Sequence, residues 1–243
     1  MFYAEYEKKI TGVNTREGRN MGYFSIALDG PAGAGKSTVA KKLAKKLGYV
    51  YVDTGAMYRA MALHFIRNGI AAEDAGAIEA ACQSADVTIT HQNGEQVVLL
   101  NGENVNGLIR TEEVSQMASI SSANKQVRLK MVELQRQLAK QENVVMDGRD
   151  IGSYVLPDAN VKVFLTASVE VRAKRRYDEQ VAKGIECSLT EIEDNIRERD
   201  YRDSHREFAP LVQAEDAVFF DNSHMTIEEN VDRLYEMCME AQK

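Results

Sequence analysis

The chain is predicted to be an α/β protein, three layers deep, with a parallel sheet covered by helices on both faces. Three observations lead there. From Tyr23 onward, short apolar runs alternate with longer segments of helical apolar spacing, the pattern of strands buried between helices. A glycine-rich turn joins the first apolar run to the first helical segment. The alternation is interrupted once, over about 71–110, by a patch of hairpin character, which reads as a small insertion in a single domain.

The elements follow in order. "YFSIAL" is a buried strand ending in Asp-Gly. "KSTVAKKLAKKLG" is a helix: Val39, Leu43 and Leu47 recur every four residues, lysines fill the other face, and Gly48 ends it. "YVYV" is a second strand closed by Asp53, and "GAMYRAMALHFIRNG" a second helix ending at Gly69. "DVTIT" and "QVVLLNGENV" are strand-like and joined across Asn93-Gly94, a strong hairpin signal. Residues 111–140 carry a long helical pattern with a break near "SSAN". "NVVMDGRD" and "VKVFL" are two more buried strands, and two charged helices follow around a turn at Gly184. "AVFFDNS" and "TIEENVDRLYEMCMEAQ" complete the fold as a last strand and helix.

The first 20 residues carry no such pattern and are expected to be a disordered extension outside the fold, leaving 21–243 as one domain. They contain no apolar stretch of secretory type, and no run in the chain reaches the roughly 18 apolar residues that span a bilayer. Cys82, Cys187 and Cys238 lie far apart and show no metal-ligand spacing, which fits a reducing, cytoplasmic setting. The net charge of -7 argues against a generic nucleic-acid binder. Nothing in the sequence requires more than a monomer.

Gly30, Gly35, Lys36 and Ser37 fit G-x-x-x-x-G-K-[ST], the P-loop pattern. Its strand-before, helix-after context is the one the mechanism needs. Glycines let successive N–H groups face one anion, the helix adds its positive end, the lysine reaches the β- and γ-phosphates, and the hydroxyl can ligate Mg²⁺. The ATP site is therefore expected over Gly30, Pro31, Ala32, Gly33, Ala34, Gly35, Lys36, Ser37 and Thr38. A guanine-reading Asn-Lys-x-Asp is absent, since "NKQV" lacks the acid.

Several later segments suggest a second anion. "DTGAMYR" and "MDGRDIG" each follow a strand, where ligands of open α/β sheets bind. In "RERDYRDSHR", Arg199, Arg202, Asp203 and Arg206 fall on one helical face, and in "RAKRR" Arg172, Arg175 and Arg176 share another. Such runs are often solvated faces; beside a phosphate loop they can also neutralise two polyanions brought together. Asp29 and Asp147, at strand ends, fit two readings, the water shell of a metal or caps of backbone turns. His64 and His205 call for no catalytic role.

"DGPAGAGKST", "DTGAMYR", "IRTEEV", "DGRDIG", "ERDYRDSHR" and "APL", in that order, resemble the bacterial cytidylate kinase family over nearly the whole chain from Phe24. The resemblance implies a P-loop kinase core, a β-containing monophosphate-binding insert at about 71–110, a helical lid at about 172–190, and transfer from ATP with Mg²⁺ to CMP or dCMP. It implies that Thr54, Arg59, Arg149 and Arg206 hold the acceptor phosphate and that Tyr58 packs near CMP. Arg199 and Asp203 would hold the ribose, and Ser119, Arg128 and Asp150 the cytosine. Lys36, Arg149, Arg175 and Arg206 would act in transfer, with Ser37 on the metal, joined by Asp29 or Asp147 through water. The base assignment also makes chemical sense. A carboxylate accepts from cytosine N4 and would repel the carbonyl of uracil, worth about 1–3 kcal/mol. The alternatives are a kinase for UMP, AMP, dTMP or shikimate, or an ATP-binding regulatory module without turnover.

Overall fold

The computed structural model describes residues 22–92 and 94–243; the extension expected over 1–20 lies outside them. The main sheet has β1 (Ser25–Asp29), β2 (Val50–Asp53), β6 (Val144–Gly148), β7 (Val161–Thr166) and β8 (Val218–Asp221) in the order β2-β6-β1-β7-β8. Every neighbouring pair is parallel. The expected α/β architecture is therefore present, because alternate residues of each strand face different helical layers. Ala27, Val52, Val144 and Met146 pack with α2 (Thr54–Arg67), α4 (Glu112–Ser121) and α5 (Lys125–Ala139). Ile26, Leu28, Val145, Val163 and Leu165 pack on the opposite face with α1 (Lys36–Leu47) and α8 (Ile227–Ala241).

The interruption after α2 begins with a helix the sequence pattern did not announce, α3 (Ala75–Ser84), started by Asp74 accepting from the Ala77 N–H. A three-stranded antiparallel sheet follows, β3 (Val87–Gln92), β4 (Glu95–Leu100) and the short β5 (Glu103–Asn104). Gln92 pairs with Glu95, so the hairpin loop has two residues, with Gly94 at φ 78°. The helical stretch at 111–140 is broken as expected. Asn124 starts α5 by accepting from the Gln126 and Val127 N–H groups.

Between β6 and β7 lies a wide, π-helical turn (Ile151–Val155), in which the Leu156 N–H donates to Ile151 O. The chain then forms a helical hairpin, α6 (Val169–Ala182) and α7 (Leu189–His205), around a small core of Ala173, Ile192 and Ile196. Strand register sets the rest. Asp53 of β2 lies beside Asp147 of β6, and Asp29 of β1 beside Gly148, so three carboxylates line the carboxyl edge of the sheet.

Candidate active site

The phosphate loop leaves β1 at Gly30, with φ 145°. A Cβ there would lie 1.9 Å from the Leu165 carbonyl oxygen of the adjacent strand, so no other residue lets the loop depart this close. Gly35 precedes α1 in the left-handed region at φ 85°, which an L side chain would resist. The loop is held from behind. Ala32 O accepts from Arg172 Nη1 at 3.0 Å, and Ala34 O from Asn222 Nδ2 at 2.9 Å. Lys36, the first residue of α1, is buried and donates from Nζ to Pro31 O at 2.7 Å. Burial pushes its pKa down to about 7, Arg149 adds to the effect, and Asp147, Asp29 and Asp203 oppose it.

Asp147 accepts from Ser37 Oγ (2.8 Å) through Oδ2 and from Tyr51 OH (2.9 Å) through Oδ1. Burial, then neighbouring Asp53, raises its pKa to about 6. Asp29 takes the capping reading. Its two oxygens accept from the Ile151 and Gly152 N–H groups, each at 2.7 Å, and so fix the start of the π-helical turn. Its pKa is also raised to about 6, by burial against those bonds. Of the two acids, Asp147 is thus the one whose carboxylate meets Ser37. Thr54 sits in the first turn of α2 and donates to Asp147 O at 2.6 Å.

The residues expected to face the acceptor are joined by ion pairs. Arg149 Nε meets Asp203 Oδ2 at 2.8 Å. Asp150 lies between two guanidinium groups, with Arg128 Nη2 on one oxygen and Arg206 Nη2 at 3.4 Å from the other. The Arg128 side chain is 1% exposed, and those of Asp150 and Arg206 5% each. The Arg128 guanidinium carbon lies 5.4 Å from the centre of the Tyr58 ring. Arg59 Nη2 reaches Asp53 Oδ2 at 3.2 Å. Burial, reinforced by Arg149, lowers Arg199 to about 10, while Asp203 pulls the other way. Several polar atoms here are buried without a hydrogen-bond partner: Arg59 Nε, Arg128 Nε, Arg199 Nε, Arg206 Nη2 and the Tyr58 hydroxyl. Such atoms are costly unless a ligand engages them. Ser119 Oγ accepts from Arg202 Nη1 at 2.9 Å.

Two expected arginine faces are redistributed. Arg206 does not share the helical face of Arg199, because α7 ends at His205 and Arg206 is extended at ψ 143°. Its Nε donates back to the carbonyl of Ala209, a non-glycine residue held at φ 48°. Arg172, Arg175 and Arg176 likewise diverge. Arg172 is buried on Ala32 O, Ala167 O and Asp200; Arg175 grips Asn222 through its side chain and carbonyl; Arg176 pairs with Glu112. One helix face is wide enough for three long side chains to find three different partners.

The phosphate loop meets the carboxylate and guanidinium groups at Lys36, with Arg149 and Asp203 near enough to bias its charge. A sequence model of the cytidylate kinase family matches residues 26–240. The chain belongs to the cytidylate kinase family.

The curated cytidylate kinases it resembles agree closely. That of Caldicellulosiruptor saccharolyticus is 50% identical over 88% of this chain and 95% of its own length. That of Caldicellulosiruptor bescii is 47% identical over 90% and 97%, and that of Lactobacillus gasseri 50% identical over 90% and 96%. The resemblance carried by the motifs is therefore correct, and the chain is a phosphotransferase of this family.

Motif reading missed some partners that shape the cytidylate kinase cleft. Asp53 caps α2 through the Ala56 N–H and also accepts from Arg59 and Arg110. Asn222 links Arg175 to the loop. Asp53 had a visible signal, an acid just before a helix. Asn222 had none, being 188 residues from the carbonyl it holds.

Proposed function

We propose that this protein transfers the γ-phosphoryl group of ATP to CMP, and to dCMP, giving ADP and the corresponding diphosphate. The observation that carries the substrate assignment is the buried Arg128–Asp150–Arg206 set, which opens off the same strand end as Arg149 and Asp147. A carboxylate has about four lone-pair positions, so Asp150 can hold both guanidinium groups and still accept from cytosine N4. Arg128 suits the cytosine O2 and N3 acceptors, and Ser119 would join them on the base.

No side-chain nucleophile is needed, because the acceptor oxygen belongs to a phosphate already ionised near neutral pH. Alignment and charge stabilisation do the work. ATP is expected on Gly30–Thr38, its β- and γ-phosphates facing the loop and Lys36. Thr54, Arg59, Arg149 and Arg206 would orient the acceptor phosphate, with Arg199 and Asp203 on the ribose. Lys36 and Arg149 flank the line of transfer and stabilise charge there. Arg175, held on Asn222, would reach the donor only by exchanging that partner as the α6–α7 lid closes and excludes water.

Ser37 and Asp147 fit Mg²⁺, since both offer hard oxygens and already touch one another. An ion there would be bound partly through the nucleotide's phosphates. Bound there, Mg²⁺ supplies positive charge against those phosphates.

The proposed setting is a monomer in the cytoplasm with small-molecule partners and no nucleic acid. No helix among the described residues is long and apolar enough to cross a membrane, and Cys82, Cys187 and Cys238 are free thiols. The test is ADP release from ATP with CMP, dCMP, UMP, AMP or dTMP. CMP and dCMP are expected to be the best acceptors. Equal rates with CMP and UMP would overturn the base assignment, and no ADP with any acceptor would end the kinase reading.

A further inference from the structure

We propose that Gln135 is a positioning residue for the acceptor base, acting through the Tyr58 hydroxyl; this rests on the cytidylate reading above. Helix α5 buries one face, formed by Val127, Arg128, Met131, Val132 and Gln135. Gln135 lies two turns beyond Arg128 on that face and is 1% exposed. Neither atom of its amide has a hydrogen-bond partner. A methionine of similar volume would fill the space without burying two unpaired polar atoms, so packing does not explain an amide here.

The Tyr58 hydroxyl is also buried and unpaired, and the Gln135 amide lies near enough to favour the ionised phenol. The Tyr58 ring in turn supports the Arg128 guanidinium, which pairs with Asp150. Gln135, Tyr58, Arg128 and Asp150 therefore form a continuous line from the helix core to the base-reading carboxylate. Neither group is hydrogen-bonded in the structure; when the acceptor base binds, an N–H donated from Gln135 Nε2 to the Tyr58 oxygen would set the tilt of the ring, and with it the plane Arg128 presents to the base. Arg206, the other charged group facing Tyr58, is held by Asp150 and the Ala209 carbonyl.

The test compares wild type, Gln135→Met, Tyr58→Phe and the double variant by thermal unfolding and by steady-state kinetics with CMP, UMP and ATP. Gln135→Met is expected to melt higher than wild type while its KM for CMP rises about tenfold, the scale of one lost hydrogen bond. Its preference for CMP over UMP falls, and its KM for ATP stays unchanged. Tyr58→Phe shows a similar shift, and the double variant is no worse than either single. A lower melting point with unaltered KM for CMP would make Gln135 an ordinary core residue, and additive losses would remove the route through Tyr58; either overturns the proposal. Should Gln135→Met fail to fold, Tyr58→Phe alone decides, because an unchanged KM for CMP then refutes it. Absence of CMP turnover in wild type is a separate result, overturning the cytidylate reading and this inference with it.

Discussion

The two halves of the cleft are finished to different degrees. On the donor side, Pro31, Ala32 and Ala34 each have a carbonyl gripped by Lys36, Arg172 or Asn222, and Ser37 rests on Asp147. On the proposed acceptor side, Arg59, Arg128, Arg199, Arg206 and Tyr58 each keep a buried polar atom without a hydrogen-bond partner. On the proposed assignment, the fold itself shapes the cradle for the first nucleotide, while for the second it stores unsatisfied donors that an anion would relieve on arrival.

The sharpest break is expected at Asp150. Replacing it with alanine leaves Arg128 and Arg206 buried without their counter-ion, a change of about 3–5 kcal/mol in unfolding free energy. Denaturant melts check this, and any folded fraction should lose CMP-over-UMP preference more than ATP affinity; equal losses would contradict the assigned role. Lys36→Met acts on the finished side and should leave a well-folded protein whose kcat falls by about 10²–10³-fold. Single-turnover measurements with saturating nucleotides separate that from weaker binding.

Ligand protection sharpens the contrast. CMP at about 100 times its Kd should raise stability by roughly 2.7 kcal/mol, with amide-exchange slowing centred on α5 and α7 rather than on residues 30–37. Uniform slowing would erase the distinction between the halves.

Proton uptake is a smaller and more specific signal. Lys36, lowered to about 7, is mostly neutral at pH 8 in the free protein, and polyphosphate favours its charged form. ATP binding at pH 8 should therefore take up about one proton, read by calorimetry in buffers of different ionisation enthalpy. Uptake near zero would mean the lysine is already charged. In the free protein, Lys36 titrates below its ordinary 10.5. The unfolded chain then holds more protons between about 7 and 10.5, and the contribution of this group to stability rises with pH across that window. Asp29 and Asp147, raised from 3.8 to about 6, run the other way: the folded state holds the extra protons, so their contribution falls as pH rises from 3.8 to 6. The least effect is expected at Arg110→Ala. That side chain is 69% exposed while pairing with Asp53 at 3.2 Å, and its loss should change stability by less than about 1 kcal/mol.

What could be read in advance divides along physical lines. β1, the loop and α1 were legible because Gly30, Gly35 and Lys36 impose their geometry locally. The break before α5 was legible because Asn124 competes for its own backbone. Helix α3 was not, since its small residues bury only Ile78 and Cys82 and leave little periodicity. Among site residues, the strand ends placed Asp147, Arg149 and Asp150 in one crevice. The resemblance also put Asp203 and Arg128 in the site, but their direct pairing was not legible: Arg149 finds Asp203 54 residues away, and Asp150 is gripped by Arg128 22 residues earlier. Arg172 misled in the opposite sense. It sits in a basic run of lid appearance yet turns inward to hold a carbonyl 140 residues earlier in the chain.

Gly30 carries a practical warning for anyone scoring variants by growth. A methyl group at that position collides with a neighbouring strand's oxygen, so the change is expected to lower the amount of folded protein in the cell. Loss of Lys36 would give the same sick colony from an abundant, intact, idle enzyme. Only an immunoblot beside the growth score tells the two apart.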